Sequence, residues 1–93
     1  MKTHYLKLHE DYCDDVISGK KSFEIRNNDR NFQVGDHIKF QAVKDDPECW
    51  RKKIEIDHAI NGKEFEITYI LNGDGWLLQK GWVIFATKEV DDD

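Results

Sequence analysis

Lys20, Lys21, Glu24, Arg26, Asp29 and Arg30 crowd into residues 18–36, which read SGKKSFEIRNNDRNFQVGD. These residue types suit recognition of anions and base edges. An ammonium meets a phosphate or carbonyl oxygen, a guanidinium makes two parallel hydrogen bonds, and a carboxylate accepts from an exocyclic amine. Over residues 21–27 the chain alternates, with Phe23 and Ile25 on one face and Ser22, Glu24 and Arg26 on the other. Unpaired buried charge is costly. The expectation is therefore Phe23 and Ile25 in the core, and the polar set paired along a mouth or cleft. Lys21 breaks the alternation and is expected in a turn after Gly19, from which its amine swings over Glu24. The same pattern also suits a solvated edge strand, on which lysines discourage aggregation.

Catalysis makes stricter demands. A lysine serves as base or nucleophile where burial or a second cation disfavours its charge; beside a carboxylate it is better suited to hold an anion. The cluster reads as recognition before reaction, with Lys21 the catalytic candidate if there is turnover. Arg30 is a phosphate contact that Asp29 orients, or the two form a local ion pair in an Asx-type turn. Trp76 follows a glycine-containing loop and can stack on a base or plug the core. Trp82 alternates with Ile84 and is expected to pack inward. Trp50 precedes Arg51, Lys52 and Lys53, but Asp45, Asp46 and Glu48 offset their field. His4, His9, His37 and His58 lack metal-ligand spacing, so no metal and no cofactor are expected.

The elements that must position this segment follow from periodicity. Residues 3–8 alternate as a strand that buries His4, Leu6 and Leu8. EDYCDDVIS repeats apolar residues at helical spacing, with Glu10 and Asp11 at its positive end and Gly19 to terminate it. Residues 27–31 are turn chemistry, and Val34-Gly35-Asp36 turns into a strand over 37–43. Residues 44–53, with the sole proline Pro47, read as a loop or helical turn. Residues 54–60 and 64–71, joined by Asn61-Gly62, give a hairpin signal of type I′. A last strand covers 82–90. The expected core includes Phe23, Ile25, Ile38, Phe40, Ile67, Tyr69 and one of Ile84 and Phe85. About six strands with one or two short helices make a β-rich α+β fold, expected to curl into a small barrel that hides its edges.

Bulk composition bounds the remainder. The 93 residues suffice for one domain, spanning 1–90, with an acidic, disordered tail at 91–93. A net charge of −5 disfavours a sequence-blind coat for phosphates, although residues 20–30 carry four cations against two carboxylates. No window is long and apolar enough for a membrane, and MKTHYLKLHE lacks the apolar run of a leader. Two cysteines without CxxC spacing fit free thiols in a reducing cytoplasm. A monomer is expected.

Gly19-x-Lys21-x-x-Glu24-x-Arg26 resembles the G-x-K-x-x-E-x-R signature of the ASCH domain, within the PUA-like superfamily. His4-x-Leu6-Lys7, GKKSFEIRNNDRNFQVGD, ITYIL and GWVIF extend the resemblance in order along nearly the whole chain, toward a bacterial and phage subfamily. Residues 44–53 look like an insertion relative to it. The resemblance implies a PUA-like β-barrel whose cleft binds RNA or a nucleotide-like small molecule. It also implies an alternative, an amidohydrolase that removes acetyl from N4-acetylcytidine with a lysine, a threonine and a distant glutamate. Lys21 matches that lysine, Glu24 occupies the threonine position, and Glu64 and Glu66 match the glutamate only by general location. A third reading is a protein-interaction module with a vestigial cleft.

Overall fold

The computed structural model describes residues 1–90, so the expected tail at 91–93 lies outside the described residues. In chain order these form β1 (Thr3–His9), α1 (Glu10–Ser18), β2 (Phe23–Asn27), β3 (His37–Asp46), β4 (Cys49–Glu55), a 3-10 turn (Ala59–Gly62), β5 (Glu64–Asn72) and β6 (Trp82–Glu89). The six strands make one sheet in the order β1-β3-β5-β6-β2, with β4 paired to the far end of β3. β1 runs parallel to β3; the remaining pairings are antiparallel.

One core collects the inward residues. Leu6 and Leu8 of β1, Ile38 and Phe40 of β3, Ile67 of β5, and Val83 and Phe85 of β6 are buried against Cys13 and Val16 of α1. The helix starts at His9, whose Nδ1 accepts from the Asp11 N–H at 3.2 Å, and stops at Gly19 with φ 84°. Burial first, then the carboxylates of Asp14 and Glu10, push the Cys13 thiol above its ordinary range.

A polar clasp within the core was not expected from sequence. His4 Nε2 lies 2.8 Å from Asp36 Oδ2, both residues being buried, and Asp36 also accepts from the backbone N–H groups of Lys2 and Gln33. Burial alone would push the Asp36 carboxyl up. The hydrogen bonds from His4, Lys2 and Gln33 outweigh it and hold the carboxyl below its ordinary value. This stabilisation is therefore present above the unfolded value of about 4 and lost as pH falls through the folded one. Asp36→Asn should cost roughly 1–2 kcal/mol near pH 7, and urea midpoints from about pH 5 to about pH 3 should fall less steeply in the variant than in the wild type.

Four expectations need correction. The sheet is small and the fold β-rich, but it is not closed into a barrel: β1 and β2 end the strand order without pairing to each other. β2 is only five residues long and turns Glu24 and Arg26 inward, so a ladder closed over it would seal both charges from water. Second, Phe23 and Ile25 face outward, at 46% and 48% exposed, whereas Glu24 is 5% exposed. Glu24 pairs with Phe85 and Arg26 with Val83, both core residues, and this register fixes the face. Tyr69 is also exposed, and Phe85 rather than Ile84 is the inward member of its pair.

Third, residues 44–53 are no loop. They form the end of β3, the tight turn at residues 47–48 and most of β4, a hairpin with Lys44 opposite Ile54 and Asp45 opposite Lys53. Fourth, Asn61-Gly62 closes no hairpin between 54–60 and 64–71. It lies in the 3-10 turn, where Asn61 Oδ1 accepts from the Ala42 N–H at 2.8 Å and Asn61 Nδ2 donates to the Ile56 carbonyl at 3.0 Å. These side-chain bonds and the buried Ile60 anchor the segment to β3.

Candidate functional site

Lys21 owes its position to the end of α1. The Gly19 N–H donates to the Val16 carbonyl at 3.2 Å, and the Lys21 N–H donates to the Asp15 carbonyl at 3.0 Å. The left-handed Gly19 reverses the chain, so Lys21 precedes the regular strand geometry that begins at Phe23. Its amine is thereby free of the alternation. Lys21 Nζ donates to the Phe23 carbonyl and to Glu24 Oε1, both at 2.9 Å. It also stands 5.5 Å from the Tyr12 ring centroid and 5.4 Å from that of Phe23, within cation–π range.

Glu24 is the hub. Its second oxygen, Oε2, accepts from Arg26 Nε at 3.4 Å, so one buried carboxylate serves two cations. Arg26 reaches onward, with Nη2 donating to the Lys7 carbonyl at 2.9 Å. Arg30 Nη1 donates to the Tyr5 carbonyl at 3.1 Å. The two acceptors are two residues apart on β1 and project the same way. Two guanidinium groups thus stand where the N–H groups of a paired strand would close the sheet.

The gap is a cleft of about 920 Å³, within the usual range for ligand sites. Lys21, Glu24, Arg26, Asp29 and Arg30 line it together. Asp29 and Arg30 form no ion pair with each other among the described residues. Ser22 and Trp76 are not part of its wall: Ser22 is exposed and its carbonyl accepts from the Thr87 N–H, and Trp76 stands 83% exposed on the loop after β5. Trp82 is half-buried at the wall rather than packed in the core. Sequence reasoning missed Tyr5, Lys7 and Tyr12, which also line the cleft. Tyr12 had a usable signal, its place on the last-but-one turn before Lys21. The β1 carbonyls had none, because backbone acceptors leave no mark on residue type.

Glu64 and Glu66 are not brought to Lys21. Glu64 takes its hydrogen bond from His37 and contacts Lys39, and Glu66 lies 3.8 Å from His37. The His37 hydrogen bond, with Lys39 behind it, holds the Glu64 carboxyl below its ordinary value against the opposing effect of desolvation. Among the described residues, no three metal-ligating side chains cluster. Among the described residues, no helix is long and apolar enough to cross a membrane.

Residues 3–87 match a family described as "Domain of unknown function (DUF3850)". A segment of 37 residues, 40% of this chain, is 51% identical to the "Uncharacterized 12.9 kDa protein in GpA 3'region" of Escherichia phage P2. The matched segment spans 34% of that relative's length.

Proposed function

This chain belongs to the DUF3850 family, and we propose that the cleft between its β1 and β2 binds RNA or a nucleotide fragment. The observation that carries the proposal is the pair of guanidinium groups, Arg26 and Arg30, spanning two unpaired sheet edges in front of a buried carboxylate. Each arginine has five N–H donors and spends only one or two on the contacts described, leaving donors for phosphate oxygens. Glu24 is an acceptor for an exocyclic amine, and Tyr5 and Tyr12 offer rings for stacking. The sequence resemblance to ASCH and PUA-like domains supports the same reading, and a location in the cytoplasm accords with it.

Deacetylation of N4-acetylcytidine would ask more of Lys21. Its amine is occupied by Glu24 and the Phe23 carbonyl, with neither Glu64 nor Glu66 in the cleft. One experiment separates the readings. A labelled single-stranded RNA is titrated with protein at low salt, and N4-acetylcytidine is incubated in parallel and followed by chromatography. The expected result is saturable RNA binding that weakens as salt rises, without acetate release. Acetate release that Lys21→Ala abolishes would instead establish the hydrolase, and absence of both would leave an interaction module.

A further inference from the structure

The outward turn of Phe23 and Ile25 leaves a sheet face that nothing among the described residues covers. Register aligns it in two rows across β2, β6 and β5: Phe23, Ala86 and Tyr69, then Ile25, Ile84 and Leu71. Phe23, Ile25 and Leu71 are about half exposed, and Tyr69 is 66% exposed. All six are apolar or aromatic, and they lie on adjacent strands rather than scattered. Isolated exposed hydrophobics need no explanation, whereas a contiguous patch marks an interaction surface.

We infer that this face is the two-fold interface of a homodimer, with a second copy of this chain as its occupant. The proposal does not rest on the RNA reading: along β2 its side chains alternate with Glu24 and Arg26, and of its six residues only Phe23 and Ile25 also border the cleft. Area is the first reason. The exposed halves of Phe23, Ile25 and Leu71 and most of Tyr69, with the exposed Trp76 and Leu77 on the loop joining the same strands, offer several hundred Å² in all, on the order of the roughly 800 Å² per partner of a standard interface. Self-complementarity is the second. A two-fold interface must match itself, and two twisted sheets of one hand stack face to face with interleaved side chains. The rim suits this as well. Lys88 lies opposite Glu66 at the edge of the apolar rows, so each copy offers both signs of charge to the other.

Sedimentation velocity on the full chain, from low to high micromolar concentration and at two NaCl concentrations, tests the inference. A dimer is expected whose association holds as salt rises, because its central contact is apolar. Tyr69→Glu should weaken it at least tenfold while circular dichroism stays native, and Trp50→Glu, exposed on β4, which pairs with β3 and not with these strands, should leave it intact. Should Tyr69→Glu fail to fold, Tyr69→Ser carries the same test. A chain that stays monomeric throughout, or a dimer indifferent to Tyr69 replacement, overturns the inference.

Discussion

Glu24→Ala is expected to cost this domain about 2–3 kcal/mol, a fall in Tm of roughly 8–24 °C for a chain of this size. Glu24 is almost wholly buried and is the shared acceptor of Lys21 and Arg26. Its removal leaves two cations facing each other beside the core residue Phe85, with no carboxylate between them. Breaking a buried pair typically costs about 3–5 kcal/mol; the lower figure applies because both cations stand at the open cleft and can be rehydrated. Glu24→Gln keeps an acceptor and should cost less. The double replacement Glu24→Ala with Lys21→Ala should recover part of the loss, because one uncompensated charge has gone. Urea denaturation of the four proteins measures this. Equal midpoints for wild type and Glu24→Ala would remove the carboxylate from its place as hub.

Arg26→Ala is expected to weaken RNA binding by about ten- to a hundredfold, which corresponds to about 1.4–2.8 kcal/mol. Charge-assisted hydrogen bonds from a guanidinium are worth about that much each when their partner is desolvated. The same replacement frees the Lys7 carbonyl on β1, but that edge is open to water, so stability should change by less than affinity. Arg30→Ala should act in the same direction. Glu24→Gln should behave differently, raising affinity for polyanions while blunting discrimination between bases, since the carboxylate opposes phosphate and accepts from base amines. Fluorescence anisotropy with two RNAs of different base composition reads both effects.

Much of the architecture was legible in residue order. The alternation of His4, Leu6 and Leu8 fixed β1, the spacing of Cys13 and Val16 fixed α1, and Gly19 marked the helix end. The convergence of Lys21, Glu24 and Arg26 followed from the same facts. Which face of β2 is buried did not. Alternation specifies two faces but not their destinations, and the rule that apolar residues go inward fails on a terminal strand beside a cleft. There the ion-paired face turns in, and Phe23 and Ile25 pack beside Ala86 and Ile84 on the outer face. The β3–β4 hairpin was hidden for a related reason. β4 is exposed along nearly its whole length, so it carries no buried period to read. Asn61-Gly62 has the composition of a type I′ turn, but its side chain is claimed by Ala42 and Ile56, a contact that only the assembled sheet provides.

In the proposed function, the cationic groups between β1 and β2 meet nucleic-acid phosphates. Its most direct test is the salt dependence of RNA affinity for wild type, Arg26→Ala and Arg30→Ala, plotted as log affinity against log salt. Each lost phosphate contact should flatten the slope by about 0.7 for a single strand, so each variant should lose roughly one such increment and the double variant roughly two. Three parallel lines, with the variants binding as the wild type does, would contradict the account and leave the cleft without a role in binding nucleic acid.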